Sequence, residues 1–321
     1  MIATAQDNSN IAFIKYWGNR DDVLRLPANP SISMNLDGLY TDTTVEWDEK
    51  LSADQLILNG TSVEGDARNR VSKHLDHVRK RVGSNTYARV ESENNFPMGA
   101  GIASSASSFA ALTVAAIAAA GVTLSERELT VIARLGSGSA SRSIPTGFVE
   151  WSAGATHEDS YASRIAAPDY WDLVDVIAIV SSEHKSVGSS AGHQSANTSI
   201  LQSARVNGAV DRFETCKQAI LSRDFEAFAE VVERDSNLMH AVMMTSIPPL
   251  FYWQPASLSV MNQVRQLRED GLSVCYTLDA GPNVHCICLR NDVYTVSNRL
   301  KTLSGVEDIR IAGVGGPAKI I

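Results

Sequence analysis

The sequence predicts an α+β fold, and three observations point to it. Apolar and polar residues alternate through much of the first half, as at 43–47 and 87–92, the period of a half-buried strand. From about residue 185 the texture changes to long amphipathic helical patterns with short apolar strands among them, which reads as a helix-covered antiparallel sheet. Between these regions a Gly/Ser-rich run, P-M-G-A-G-I-A-S-S-A from Pro97 to Ala106, opens a long Ala-rich apolar segment. The 321 residues, 44% of them hydrophobic, suffice for one large or two medium domains with a proper core.

In order along the chain, residues 11–17 are short, apolar and aromatic, and 43–47 alternate as a strand. Leu56, Ile57 and Leu58 run into the turn pair Asn59-Gly60. A polar helix is expected over 66–82; its His74 and His77 stand one turn apart among Lys73, Asp76, Arg79 and Lys80, the setting of a solvated face rather than a metal pair. A strand at 87–92 leads into the Gly/Ser run. Ser125 with Glu128 forms a capping box ahead of Leu129, Ile132 and Ala133, and Gly136 ends that helix. Residues 174–180 form a buried strand, followed by helices at about 204–222, 224–238 and 257–269. Strands at 273–278 and 284–289 flank D-A-G-P-N, and a helix at 292–303 precedes a last strand at 309–312.

Lys and Arg number 28 against 36 Asp and Glu, a net charge of −8, and no basic cluster stands out. That argues against a nucleic-acid partner but leaves room for a small anion held by a few local cations. Cys216, Cys275, Cys286 and Cys288 fit no zinc spacing and read as buried free thiols, the last two on one face of a strand. The first residues lack a signal peptide's basic start and apolar core, and the apolar run 109–120 is too short and Ala-rich to cross a bilayer, so a cytoplasmic protein without membrane contact is expected.

Four polar, Gly-rich segments interrupt the apolar elements, at 15–22, 97–108, 136–142 and 279–283. The second has the layout of a phosphate cradle: glycines admit close backbone approach, a helix N-terminus offers free N–H groups, and serines add hydroxyls. It is not the common P-loop, since G-x-x-x-x-G-K-[ST] is missing, and a plain structural turn would also explain it. Taken singly, Asp279 reads as a turn cap, Lys15 as a surface strand lysine and Arg142 as a helix-surface arginine.

Together these segments resemble the GHMP kinase superfamily and, within it, the mevalonate diphosphate decarboxylase family. The resemblance runs through N-I-A-F-I-K-Y-W-G at 10–18, P-A-N-P-S-I-S-M at 27–34 and N-N-F-P-M-G-A-G-I-A-S-S-A-S-S at 94–108. It continues through G-S-G-S-A-S-R-S at 136–143, G-F-V-E-W at 147–151, D-S-N-L-M-H-A at 235–241 and D-A-G-P-N-V at 279–284. It implies an N-terminal ribosomal-S5-like α/β domain over 1–183, a C-terminal ferredoxin-like α+β domain over 184–321, and an active site in the cleft between them.

The chemistry implied is ATP- and Mg2+-dependent phosphorylation of a tertiary 3-hydroxyl, followed by loss of phosphate and carbon dioxide, in a protein that is often a homodimer. Asp279 would orient or take the hydroxyl proton, Arg142 would grip the substrate carboxylate, Lys15 would share charge with Asp279, and Ser189 would lie near the reacting hydroxyl. Tyr16, Asn19, Ser137, Ser139, His184 and Lys185 match substrate-contact positions. Pro97, Gly99, Gly101, Ala103, Ser104, Ser105, Ser107 and Ser108 would cradle ATP, with Ser105 at the magnesium.

The chain departs from the family where a diphosphate would be held. Asn19 stands where a second lysine is usual, and His184-Lys185 replaces a lysine pair. Thr146-Gly147-Phe148 stands for Gly-Gly-Phe, and His193 for a methionine. Each charge-assisted contact is worth roughly 1.5–3 kcal/mol, so the missing cations predict mevalonate 5-phosphate as substrate and isopentenyl phosphate as product. Arg20 is a candidate replacement cation. The alternatives are a diphosphomevalonate decarboxylase, a mevalonate 3-kinase and a non-catalytic sensor.

Overall fold

Two long strands carry the architecture. In the computed structural model, which describes residues 1–96, 104–181 and 189–321, Ile2–Ile14 pairs antiparallel with Ser31–Asp48. The longer strand bridges two neighbours: its first residues pair with Phe148–Trp151 and its second half with Tyr87–Asn94. Gln55–Leu58 joins in parallel beyond Tyr87–Asn94. The chain end returns to this sheet, where Lys319–Ile320 pairs with Ala5 and Gln6.

The second sheet is antiparallel, in the spatial order Val274–Thr277, Val284–Leu289, Leu173–Ile179 and Asp308–Gly313. It starts at Leu173, ahead of residue 184. The fold is therefore α+β, with helices covering both sheets.

The larger apolar clusters among the described residues hold it together. Helices Asp66–Val82, Ser104–Ala119 and Glu126–Gly136 pack on one face of the first sheet around Val45, Val90, Leu75 and Ala115. The alanines of Ser104–Ala119 let that helix lie close on the strands, and Trp47 Nε1 donates to its Ala116 carbonyl at 3.0 Å. Helices Ala209–Ser222 and Phe225–Thr245 contribute Phe213, Ile220 and Phe228 to a core shared with Phe13 of the first sheet and Ile177 and Ile287 of the second. Pro255–Glu269 and Val293–Lys301 cover the far face of the second sheet.

Several expectations are revised. The first strand starts well before residue 11, because Asp7, Ser9 and Asn10 are buried inside it, and buried polar residues hide the alternation. The helix expected at 204–222 is two helices, Gln202–Asn207 and Ala209–Ser222, parted at Gly208, the residue that pays most entropy inside a helix. The next helix runs on to Thr245 because Met239, Val242 and Met243 continue its buried stripe. His74 is not on a solvated face: it is buried, its Nε2 is 2.8 Å from Thr113 Oγ1, and burial pulls its pKa down to about 3. The capping box at Ser125 and Glu128 forms as read, and all four cysteines are free and buried. Among the described residues no helix is long and apolar enough to cross a membrane.

Candidate active site

Lys15 directly follows strand Ile2–Ile14. Its backbone N–H donates to Asp235 Oδ2 at 2.6 Å, and its ammonium donates to Asp279 Oδ1 at 2.6 Å. The K-Y-W-G turn behind it is pinned from the second half: Arg205 Nη2 donates to Trp17 O at 2.6 Å and to Asn29 Oδ1 at 2.9 Å, and Gln202 Nε2 donates to Trp17 O at 3.0 Å. Gly18, at φ +89°, supplies the positive φ that this turn needs.

Asp279 stands at the end of strand Val274–Thr277, in a turn closed by Gly281 N–H on its own carbonyl at 2.8 Å. Two neighbours hold the turn. Leu278 N–H donates to Ser236 Oγ at 3.0 Å, and the Asn283 side chain accepts from Val180 N–H at 2.8 Å and Ser181 N–H at 3.1 Å. The D-A-G-P-N sequence thus makes more than a turn, since its asparagine ties the loop to the end of a neighbouring strand.

Arg142 closes the 3-10 turn Gly138–Arg142 and is buried. Nη1 donates to Ser31 Oγ at 2.7 Å and Nη2 to Asn10 Oδ1 at 3.4 Å, while Nε has no partner among the described residues. Its guanidinium lies 5.8 Å from the Trp151 ring centre. Asn10 also donates to Ser143 Oγ at 2.8 Å, and Ser137 Oγ is 3.3 Å from both Ser139 Oγ and Ser105 Oγ. The first turn of helix Ser104–Ala119 therefore touches the serine turn. Gly138 is required where it stands, because a Cβ there would meet the Tyr16 ring at 2.4 Å.

The electrostatics follow from burial against partners. Burial lowers the Lys15 pKa, with Asp279 and Asp235 opposing it. For Asp279 burial acts upward, but Lys15, His285 and Arg142 outweigh it and hold the carboxyl below its usual range. Burial brings Arg142 down to about 10, still charged at neutral pH, and pushes Tyr16 up to about 12, a neutral donor.

Both halves of the chain match known families. Residues 7–162 match the diphosphomevalonate decarboxylase-like N-terminal domain, and residues 175–312 match the mevalonate 5-diphosphate decarboxylase C-terminal domain. The chain belongs to the diphosphomevalonate decarboxylase family. The Candida albicans diphosphomevalonate decarboxylase is 42% identical over 292 residues, covering 85% of this chain and 80% of that protein. The Rattus norvegicus enzyme is 37% identical over 315 residues, covering 91% and 78%. The crystal structure of mevalonate diphosphate decarboxylase from Staphylococcus aureus superposes with a TM-score of 0.95 at 37% identity over 100% of this chain and 98% of that one. The Enterococcus faecalis enzyme superposes at 0.92 with 33% identity over 100% and 99%.

In this member of the decarboxylase family, Lys15, Tyr16, Asp279, Arg142, Ser137 and Ser139 gather at the join of the two sheets. Ser105 reaches them through Ser137. Ser107 turns away: it is buried against the sheet, 2.7 Å from Thr41 Oγ1. Ser108 Oγ donates back to the Ser104 carbonyl at 2.7 Å. Pro97, Gly99, Gly101, Ala103, His184 and Lys185 lie outside the described residues. Ser189 opens helix Ser189–Ser195, and its side chain is likewise outside them.

Asn19 is engaged within the turn, accepting from Tyr16 OH at 2.5 Å and donating to Asp22 Oδ1 at 2.8 Å. The Arg20 guanidinium donates to the carbonyls of Ala153 and Gly154. His193 stacks on Tyr16, with ring centres 4.0 Å apart, and accepts from Gly18 N–H at 3.0 Å.

Asp235, Asn10 and Ser31 are site residues without a role in the sequence reading. Asp235 had one visible signal: an acid on the buried stripe Val231, Val232, Asp235, Met239 of a helix. Such a charge requires a partner, here the Lys15 N–H and Arg212 Nε at 2.7 Å.

Proposed function

We propose that this chain is an ATP- and magnesium-dependent decarboxylase of mevalonate 5-diphosphate, yielding isopentenyl diphosphate. The observation that carries the reading is the Lys15–Asp279 pair, 2.6 Å apart, with the Arg142 fork among the groups acting on both. A related decarboxylase, 34% identical with a TM-score of 0.94, has been solved with MVAPP, AMPPCP and magnesium, and the names of the relatives carry the diphosphate.

When bound, ATP supplies the phosphoryl group. Ser105 and the preceding Gly/Ser run are the residues proposed to hold it, at the start of a helix that reaches the serine turn. Asp279, ionised under Lys15, accepts the 3-hydroxyl proton as the oxygen takes the phosphoryl group. The C3–O bond then breaks with loss of phosphate, and the C1–C2 bond breaks with loss of carbon dioxide, its electron pair forming the C2–C3 double bond. Arg142 orients the carboxylate: its buried Nε, without a partner among the described residues, lies on the same guanidinium edge as the Asn10-bound Nη2, the paired N–H edge that a carboxylate would accept. Lys15 holds positive charge where negative charge gathers.

A second reading, mevalonate 5-phosphate as substrate, draws support from one observation. Position 19 is a neutral side chain already bonded to Tyr16 and Asp22, and Arg20 is turned to backbone carbonyls. ADP release measured with mevalonate, its 5-phosphate and its 5-diphosphate, with product masses, decides between them. A tenfold or larger kcat/KM preference for the monophosphate removes the diphosphate reading. A product that retains the carboxylate removes decarboxylation altogether.

A further inference from the structure

One buried histidine–aspartate pair stands apart from the groups proposed to touch substrate. His285 Nδ1 lies 2.6 Å from Asp175 Oδ2, with the side chains 1% and 0% exposed. His285 is opposite Ile177 on one neighbouring strand and Thr277 on the other, so Asp175, Ile177, Thr277 and His285 share the face of the second sheet that looks toward the first. Thr277 precedes Asp279 by two residues, and its hydroxyl donates at 3.4 Å to the carbonyl of Ala12, on the strand that leads to Lys15. The pair therefore lies under the seam where the Asp279 turn meets the Lys15 strand. His285 Nε2 and Asp175 Oδ1 have no hydrogen-bond partner among the described residues.

The charged groups acting on the ring are Asp175 from the adjacent strand, Asp279 from the turn and Lys15 from the end of the first strand. Burial and Lys15 disfavour the imidazolium, but the two carboxylates outweigh them and raise its pKa above the ordinary 6.5. The effect is mutual: His285 stands next after Lys15 among the charges that keep Asp279 ionised.

We propose that His285, held by Asp175, is a positioning residue for the reaction, a second buried cation behind Lys15 that keeps the Asp279 carboxylate charged and in place for the substrate hydroxyl. The proposal rests on the decarboxylase reading. Its physical content is that substrate and nucleotide bring several negative charges toward Asp279, and each one drives that carboxylate toward its neutral form. A neutral Asp279 cannot accept a proton. One ammonium and one imidazolium, both sealed from water, oppose that shift more strongly than Lys15 alone.

The test uses the full chain and the variants His285→Gln, His285→Lys and Asp175→Asn, with kcat and KM measured from about pH 6 to 9, and 15N NMR of the His285 ring in the wild type. His285→Gln is expected to lower kcat by ~10-fold or more while KM for both substrates stays within about twofold, and to lose the part of the alkaline fall in kcat that His285 causes. His285→Lys, which puts an ammonium between the Asp175 and Asp279 carboxylates, is expected to recover most of kcat at about pH 7. The ring is expected to carry both protons at about pH 7. Asp175→Asn, which weakens the imidazolium, is expected to move the alkaline limb to lower pH and stands in for His285→Gln if that variant does not fold.

Equal losses in His285→Gln and His285→Lys, an alkaline limb unchanged in His285→Gln and so owned by Lys15, or a neutral ring at about pH 7 would each overturn the proposal. A wild type active on a mevalonate phosphate beside an unaffected His285→Gln overturns this inference alone. A wild type inactive on every mevalonate phosphate overturns the decarboxylase reading and this inference with it.

Discussion

Lys15 Nζ donates to Asp279 Oδ1 at 2.6 Å across the join of the two sheets, and the two partners differ in access: the lysine side chain is 1% exposed, the aspartate 24%. The ammonium is sealed and the carboxylate keeps an open edge. A group approaching from solvent therefore meets Asp279 first, with Lys15 behind it. The pair also couples a strand end of one sheet to a turn of the other, so the constellation exists only when both halves of the chain have docked.

Asp279→Asn is expected to remain folded and to lose at least ~100-fold in kcat, the scale of a general-base contribution. The amide keeps the shape of the side chain and can still accept a hydrogen bond from Lys15, but it cannot take a proton. Circular dichroism and ADP release on the same sample check this. A variant retaining more than about a tenth of wild-type turnover would remove the base role.

Arg142→Lys is expected to lower kcat/KM by roughly one to two decades although the charge is kept. The guanidinium is anchored on Ser31 and Asn10 with Nε left unpartnered among the described residues. A lysine cannot hold those anchors and also present two parallel N–H groups, and one lost charge-assisted bond costs roughly 1.5–3 kcal/mol. Steady-state kinetics with the carboxylate-bearing substrate is the measurement, and near-normal kcat/KM would remove the carboxylate-binding role from Arg142.

The segments that carry the constellation were legible as breaks in regular structure, but each residue alone read as a turn cap or a surface side chain, and only the family resemblance joined them. Lys15 ends an apolar strand, Arg142 closes a Gly/Ser turn and Asp279 follows an apolar strand, so each is a polar residue where periodicity stops. What was not legible depends on distant chain. Asp7, Ser9 and Asn10 read as polar and interrupt the strand pattern, yet they are buried within Ile2–Ile14, and Asn10 finds its partners in Ser139, Arg142 and Ser143, far along the chain. His74 sits among charges in sequence but turns inward to Thr113, which no local pattern announces. The anchors Ser31 and Asn10 carry no periodic signature, since their role exists only through Arg142, remote from both in sequence.

Asp7→Ala is expected to stabilise the protein at neutral pH. Asp7 is 0% exposed, and neither carboxylate oxygen makes a well-formed hydrogen bond among the described residues. Burial raises its pKa well above 3.8, against a smaller downward pull from the Asn8 backbone N–H. Between 3.8 and that raised value the unfolded chain releases a proton that the folded chain keeps, so stability falls as pH rises through the window and levels off above it. The variant removes this loss together with an unsatisfied buried group, for roughly 1–3 kcal/mol near neutrality. Urea unfolding from about pH 4 to 8 should show the advantage smallest at the acid end. A destabilised variant across that range would mean that Asp7 has a partner in solution.

Position 19 is expected to influence the preference between the two mevalonate phosphates. Asn19 accepts from Tyr16 OH at 2.5 Å and donates to Asp22 Oδ1 at 2.8 Å, so the turn holds a neutral side chain beside an acid where a diphosphate would seek cations. Arg20 donates to the carbonyls of Ala153 and Gly154. Asn19→Lys introduces an ammonium that Asp22 can orient and that one terminal phosphate can accept. A regained charge-assisted contact is worth about 1.5–3 kcal/mol, so the ratio of kcat/KM for the 5-diphosphate over the 5-phosphate should rise by roughly one to two decades. The change should fall mainly in KM, because the terminal phosphate is remote from the reacting carbon and is bound alike before and during the reaction. Loss of the Tyr16 contact adds a cost common to both substrates, and the ratio cancels it. Measuring both substrates on wild type and variant checks the expectation. An unchanged ratio would mean that the terminal phosphate is held by other residues, and position 19 would then carry no information about which mevalonate phosphate the enzyme takes.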